Sequence, residues 1–453
     1  MKSYLVPKIS ALLCLMAMWL MAQSDLAITV TNQNLGLVHE MRQIDLKKGL
    51  NDYLLTDIPQ QIDATSVLIE SLKKSFLVLE QNYEYDLINV DKVLAKSIDQ
   101  QIWVVDPALG KISGTLLASN GRYLMLLDEQ QQLQIIPRND KQKVLLKNYA
   151  SQQDQFITRP TLVWKVKAEK SGSHEVGLTY LTRGLNWHAD YVGKLNPDDS
   201  QLQLACWVTI NNTSGKVYKN ARLKLMAGEL NLVKKSFRRT GVLEEYMVAK
   251  TTRKPQFEEK AFFEYHLYTL QRRTTLLNNQ VKQIQLFPET KVKVQKKFVV
   301  TSYDPKKVSV KIAFKNSKQN NLGIPFPAGK ARLYKEDQQD LEFIGEDLIK
   351  HTPKDEEILL NVGKAFDIVS ERNVLKREKP SKQTEKLTVE YKIRNHKKQD
   401  VIVEVIEYVP SYREVELLTS SLKPVETKAN YFKFQLKVKA NDESRLQMKY
   451  FLQ

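Results

Sequence analysis

Apolar and polar residues alternate with a period of two along most of this chain, and this alternation restricts the fold more than any other feature. Clear examples lie at residues 27–31, 292–295, 308–312 and 401–405. Successive side chains of a strand point to opposite faces, so the pattern is typical of half-buried antiparallel strands. Turn-forming residues separate the runs, as at 119–121 and 211–215. The sequence therefore predicts an all-β protein built from antiparallel β-sandwich domains.

Turn signals and changes in composition divide the chain into regions. The predicted regions are a signal peptide (1–22), an N-terminal β unit (25–80), a small β-barrel-like insert (81–150), a β-sandwich segment (156–235), a basic linker or loop (236–260) and a C-terminal β-sandwich domain (261–453). Within the insert, four short strands are predicted at 101–105, 114–118, 123–127 and 133–136. Four short strands suit a small, tightly curled barrel.

The first 22 residues have the pattern of a secretory signal. Lys2 and Lys8 provide a positive start, the apolar run 9–21 is too short to span a bilayer, and Ala22 offers a small residue for cleavage. We therefore expect export to the periplasm, the cell surface or the medium; an uncleaved anchor is the open alternative. After Ala22 no apolar run reaches the length of a spanning helix, so no transmembrane helix is predicted there.

Two cysteines occur, at positions 14 and 206. Cys14 lies in the signal peptide, where residues 11–14 resemble a short lipidation motif, although the apolar run continues beyond it. Cys206 is then the remaining thiol, so no intrachain disulfide is expected. We expect Cys206 to be buried as a small apolar residue.

The chain is strongly basic, with a formal net charge of +17 at pH 7. Loss of Lys2 and Lys8 with the signal peptide lowers the charge by two, to +15. Such a charge favours anionic envelope components, such as polysaccharide or glycolipid, or envelope proteins, and export argues against nucleic acid as the partner. The densest basic cluster comprises Lys234, Lys235, Arg238 and Arg239. The alternative is that the lysines only form a solvated face.

The segment 323–330 (Gly-Ile-Pro-Phe-Pro-Ala-Gly-Lys) has two prolines flanked by glycines, which predicts an extended path between strands. It is either an exposed turn that presents Phe326 and Lys330 to a partner or a rigid crossover with Phe326 packed inward. Gly329 is expected to have a positive φ. A separate aromatic cluster, formed by Tyr180, Trp187, Tyr191 and Trp207, suits either stacking on sugars or packing between sheets.

No motif for catalysis or metal binding is strong. The best metal-ligand group combines Glu346, Asp347 and His351 with the acids at 355–357, but interleaved lysines favour a solvated acidic turn, so no metal or cofactor is predicted. No Gly-x-Ser-x-Gly motif is present. For glycoside hydrolysis, Glu264 with Glu346 or Asp347 are candidates by residue type alone.

An ordered series of short motifs resembles a known family. The motifs lie at 180–191, 262–268, 321–330, 332–337, 343–347 and 351–356. Together they resemble the exported bacterial family called domain of unknown function 4139, related to mucoidy inhibitor A; Arg273 departs from the proline expected before Thr274. The resemblance implies an all-β exported protein, and it supplies no reaction.

These observations predict a binding or structural role at the cell envelope; they favour a protein that is not an enzyme, and they leave open whether any catalysis occurs. Two alternatives stay open. One is a hydrolase acting on envelope polysaccharide or peptide, and the other is an outer-membrane β-barrel.

Overall fold

The computed structural model describes residues 25–73, 75–84, 89–147, 159–232, 256–338, 340–381, 383–410 and 412–453. The predicted signal peptide lies outside these residues. The described chain consists almost entirely of strands, with one short helix, α1 (Val90–Lys96), and a 3-10 turn (Lys318–Asn320). The predicted all-β, sandwich-like fold is therefore confirmed. Among the described residues, no helix combines the length and apolarity needed to cross a membrane.

Three sheets, which we name A, B and D, share one hydrophobic core. Sheet A contains β1 (Leu26–Thr31), β2 (Leu35–Leu46), β4 (Ile62–Ser71), β12 (Gly172–Arg183), β15 (Tyr218–Ala227), β16 (Phe257–Phe262), β17 (Tyr265–Leu270) and β18 (Thr274–Leu276). Sheet B contains β3 (Gly49–Leu55), β5 (Phe76–Glu84) and β11 (Thr161–Ala168). Sheet D contains β13 (Leu185–Leu195), β14 (Gln201–Asn212), β19 (Gln280–Lys293), β22 (Gly329–Asp337) and β23 (Asp340–Ile349).

Parallel pairings bring distant parts of the chain together in these sheets. Strand β1 pairs in parallel with β15, where Ala27 lies opposite Arg222. Strand β13 pairs in parallel with β22, where Ala189 lies opposite Gly329. Gly329 lacks the positive φ that was expected. It is glycine for another reason, because an added Cβ would lie 2.2 Å from the carbonyl oxygen of Ala189.

The insert forms a separate sheet, sheet C, with its own small core. Its strands are β6 (Gln101–Asp106), β7 (Gly110–Ser119), β8 (Tyr123–Leu127), β9 (Leu133–Pro137) and β10 (Lys143–Leu146), in the order β10-β6-β7-β8-β9. The four predicted strands are present, and β10 adds a fifth. The barrel-like description was wrong, because the edge strands β9 and β10 do not pair with each other among the described residues. Helix α1 buries Leu94 in the core of this open sheet.

The last sheet, sheet E, folds around a second large core. Its strands are β20 (Gln295–Thr301), β21 (Asp304–Lys315), β24 (Glu357–Glu378), β25 (Glu385–Asn395), β26 (Val401–Tyr408), β27 (Val415–Ser420), β28 (Glu426–Lys428), β29 (Tyr431–Val438) and β30 (Asp442–Leu452). Strands β21 and β24 contribute to both large cores: Ile312 and Leu360 pack in the first, and Val308 and Ile368 pack in the second. Residues 261–453 thus supply strands to sheets A, D and E. The predicted domain boundaries remain a prediction.

Candidate binding face

The outer face of sheet D carries a group of polar, charged and aromatic side chains, which we call the sheet D face. Its members are His188, Asp190, Trp207, Thr209, Gln283, Lys330, Arg332 and Glu346. They lie opposite the apolar residues that fill the core, such as Trp187, Ala189 and Tyr191 of β13. The strand period of two therefore gives one sequence both a core and a polar outer surface.

Strand register places the main residues of this face in one row. Trp207 of β14 lies opposite Asp190 of β13, which in turn lies opposite Lys330 of β22. Neighbouring strands are about 4.8 Å apart, so the backbones at Trp207 and Lys330 are separated by about 10 Å. A sugar ring and its charged substituent can span that distance on a flat surface.

The centre of the row is the carboxylate of Asp190, which is only 9% exposed. The hydroxyl of Thr209 donates to its Oδ2 at 2.6 Å, and Nε2 of His188 lies 3.2 Å from the same oxygen. The guanidinium of Arg332 lies 3.5 Å from Oδ1. Gln283 donates in turn to the Thr209 hydroxyl at 3.1 Å. These contacts fix the side chains before any ligand arrives.

Basic groups surround this carboxylate. Arg332 also lies 3.7 Å from Glu346, and Nζ of Lys330 lies 3.3 Å from the other oxygen of Glu346. The side chains of Lys330 and Arg332 remain about two-fifths exposed. Lys194 follows on the same side of β13, beside Tyr334 of β22. Three cations thus face two carboxylates, and the surface has a basic excess.

The structure divides the predicted aromatic cluster. Tyr180, Trp187 and Tyr191 are buried in the core, whereas Trp207 is 38% exposed on the sheet D face. The cause is strand alternation: Cys206 points into the core, so its neighbour Trp207 points outward. Cys206 is fully buried as expected. Burial raises the pKa of its thiol well above the usual value, so it does not act as a nucleophile at neutral pH.

The candidate interaction residues are distributed differently from the prediction. Phe326 is 1% exposed and stacks on Tyr191, with ring centroids 5.3 Å apart, so its assignment to an exposed surface was wrong. Tyr191 reinforces this packing by donating to the carbonyl of Pro327 at 2.7 Å. Lys330, four residues later, is on the sheet D face. The basic cluster of Lys234, Lys235, Arg238 and Arg239 lies outside the described residues.

The geometry of the sheet D face suits binding better than catalysis. Thr209 donates directly to Asp190, whereas a nucleophile would need a base such as His188 to take its proton. Two of the hydrolase candidates already have partners: Glu346 contacts Lys330 and Arg332, and Asp347 accepts from the backbone N–H groups of Leu348 and Asn361. Among the described residues, no group of three or more His, Cys, Asp or Glu side chains is arranged to hold a metal ion.

Comparison with known families gives one match. The sequence profile described as Domain of unknown function (DUF4139) matches residues 176–453, which include every residue of the sheet D face. No curated protein matches the chain.

Proposed function

The chain belongs to the family described as Domain of unknown function (DUF4139), and from that premise we propose that it is an exported envelope protein that binds anionic polysaccharide through the sheet D face. The observation that carries the proposal is the exposed Trp207 ring in one row with Asp190 and Lys330. The relationship to mucoidy inhibitor A that the motifs suggest belongs to the same proposal.

The chemistry of the row matches an acidic sugar polymer. An exposed indole offers an apolar face to a sugar ring while the surrounding groups stay hydrated. Arg332 and Lys330 supply charge-assisted hydrogen bonds for a carboxylate or phosphate on the same polymer. The exposed amide of Gln283 adds donor and acceptor groups for sugar hydroxyls. Because the side chains are already held by one another, little ordering is needed on binding.

The net charge of +15 that remains after loss of Lys2 and Lys8 adds a long-range component. A basic protein is attracted to a polyanion before specific contacts form, and salt screens that attraction. We therefore expect binding that weakens as ionic strength rises but keeps a part that depends on Trp207. Purely non-specific attraction would lack the second part.

Isothermal titration with polygalacturonate, and with neutral dextran as the uncharged control, tests the proposal between about 0.05 and 1 M salt. We expect polygalacturonate to bind. Trp207→Ala should lower the affinity for it by about tenfold, which corresponds to about 1.4 kcal/mol. Arg332→Gln should also weaken it. Phe366→Ala is the matched control, because Phe366 is 96% exposed on β24 of sheet E. Equal binding of Trp207→Ala and Phe366→Ala would reject this face as the site.

Compartment is tested separately. We expect the protein recovered from the envelope or medium to begin at Gln23 after cleavage behind Ala22, as N-terminal sequencing would show. An intact N-terminus on protein retained in the cytoplasm would refute the export part of the proposal and leave the binding result standing.

A further inference from the structure

A groove of about 880 Å³ lies between the edge of sheet A and the edge of sheet B, and it shares no residue with the sheet D face. Val67 and Ile69 of β4 and Phe76 and Val78 of β5 form its floor, where they pack on the shared core. Leu68 and Leu77 stand at its rim, and both are 62% exposed. Exposed leucines grouped around an apolar floor mark an interaction site on a folded protein.

Both walls of the groove are free strand edges. Among the described residues, β4 ends sheet A beyond β12, and β5 ends sheet B beyond β11. Proteins usually protect such edges with lysine or proline. Neither β4 nor β5 contains either residue. Within the described part of the chain no further strand pairs with the outer edge of β4 or β5, so backbone N–H and C=O groups along these edges can pair with another extended chain.

The ends of the groove limit the length of its occupant. At one end the Ser75 backbone N–H donates to the Ser71 hydroxyl at 3.0 Å. At the other end the Gln81 side chain donates to the carbonyl of Ala64 at 3.1 Å. The β4 wall between them, residues 67–71, extends about 16 Å at about 3.3 Å per residue. An extended segment of about five residues fits this length.

The charge of the groove differs from that of the whole protein. Glu80 and Glu169 line it together with a single cation, Lys167. Neither glutamate forms an ion pair with another described residue. An acidic rim on a chain of net charge +15 after loss of Lys2 and Lys8 favours an occupant with basic flanks. The same net charge makes a second copy of this chain a poor occupant, because two copies repel each other.

We propose that this groove binds an extended segment of a partner polypeptide by strand addition. About five residues of the partner pair with the free edge of β4 or β5, alternate apolar side chains enter the floor, and flanking Lys or Arg residues face Glu80 and Glu169. This site is independent of the polysaccharide proposed for the sheet D face, so either proposal can fail without the other.

Selection from a phage-displayed library of random peptides of about twelve residues tests the proposal on the purified protein. We expect enrichment of peptides with alternating apolar residues between basic flanks. Synthetic copies of these peptides should slow hydrogen exchange at backbone amides of β4 or β5. Leu68→Lys and Leu77→Lys should each reduce their affinity at least about tenfold. Leu54→Lys, at an equally exposed leucine on the outer face of sheet B, should leave affinity unchanged.

Four outcomes would overturn the proposal. The first is no enrichment of alternating peptides. The second is equal binding by the Leu68→Lys and Leu54→Lys variants. The third is equal binding by a peptide whose backbone amides are methylated, since strand pairing needs those donors, and that result would indicate a groove for an apolar chain such as a lipid. Concentration-dependent dimerisation that Leu68→Lys abolishes would assign the groove to a second copy instead.

Discussion

Glu407 and Glu40 are both buried carboxylates, one in each large core, yet the two cores neutralise them in different ways. Glu407 of β26 receives two N–H groups of Arg372 and the hydroxyls of Tyr391 and Tyr450, at 2.7 and 2.8 Å. Its negative charge therefore depends on one cation, and two neutral donors complete its shell. This arrangement fixes strands β24, β25, β26 and β30 around a single point in sheet E.

Glu40 of β2 is shared between two cations. Arg42 donates at 2.8 Å, Tyr180 donates at 3.1 Å, and Nζ of Lys216 lies 3.3 Å from each carboxylate oxygen. Lys216 also donates to the backbone carbonyl of Asp57, whose side chain is exposed. The comparison teaches that the stability of a fold depends strongly on the cation when a buried carboxylate has only one. When two cations share the carboxylate, removal of either one should cost less stability.

Removal of the single cation in sheet E should have the largest effect. Arg372→Leu leaves Glu407 buried without a cation, and we expect the free energy of unfolding to fall by about 3–5 kcal/mol. Chemical denaturation measures this change. Arg394→Leu is the matched control in the same sheet, because Arg394 pairs with Glu371, whose side chain is 43% exposed, and should cost no more than about 1 kcal/mol. Similar losses for both variants would show that Glu407 does not need its cation.

A smaller effect is expected at Lys216. Lys216→Met keeps the volume of the side chain and leaves Glu40 with Arg42 and Tyr180, so the loss should be about 1–3 kcal/mol. The same denaturation experiment compares it directly with Arg372→Leu. Equal losses of unfolding free energy for Lys216→Met and Arg372→Leu would contradict this expectation. They would show that Arg42 does not compensate for the missing charge at Glu40.

Tyrosine hydroxyls should contribute less again. Tyr450→Phe removes a 2.8 Å hydrogen bond to Glu407, and we expect a loss of about 1–2 kcal/mol. Tyr180→Phe removes a longer, 3.1 Å contact with Glu40 and should cost less, since that acceptor keeps both cations. A larger loss of unfolding free energy for Tyr180→Phe than for Tyr450→Phe would contradict this expectation.

Alkaline pH should distinguish the Glu407 site from the Glu40 site. The contribution of Tyr450 to the free energy of unfolding should fall with pH, whereas that of Lys216 should rise. Burial, followed by the charge of Glu407, raises the pKa of Tyr450, so the folded state keeps a proton that the unfolded state loses near pH 10. Its stabilisation is complete below pH 10 and declines as pH rises above it. Burial lowers the pKa of Lys216, so below its ordinary value of about 10.4 the folded state binds fewer protons than the unfolded state, and this contribution rises with pH.

Denaturation of the variants between about pH 8 and pH 11 measures these contributions. Tyr450→Phe should flatten the decline above pH 10. Lys216→Met should make the fall in stability with pH steeper. Identical pH profiles for the parent and both variants would contradict the two assigned pKa directions.

Strand positions were predictable from the sequence because their signal is local. The run at 27–31 lies in β1, and those at 308–312 and 401–405 lie in β21 and β26. The exposure of Trp207 was also available in principle, because a buried Cys206 directs the next side chain outward. It was missed because the aromatic residues were grouped by type without regard to the face of the strand on which each lies.

Pairing between distant strands was not predictable in the same way. Alternation at residues 308–312 is the same whichever neighbour β21 finds. The parallel contact of β13 with β22, which brings Asp190 beside Lys330, depends on the close approach allowed by Gly329. In the segment 323–330 two prolines interrupt the alternation, so no local pattern decided that Phe326 points inward. The row that forms the candidate binding face therefore appears only in three dimensions.

The parallel pairing of β1 with β15 also sets a waiting time. Ala27 pairs with Arg222, which lies 195 positions further along the chain. If the N-terminus emerges first, at about 5–20 residues per second, β1 waits about 10–40 s for its partner. In sheet D the corresponding separation is 140 positions, from Ala189 of β13 to Gly329 of β22, so β13 waits about 7–28 s at the same rate. The sheets of the first half of the chain thus stay incomplete, and their strand edges stay open to chaperones, until the second half has emerged.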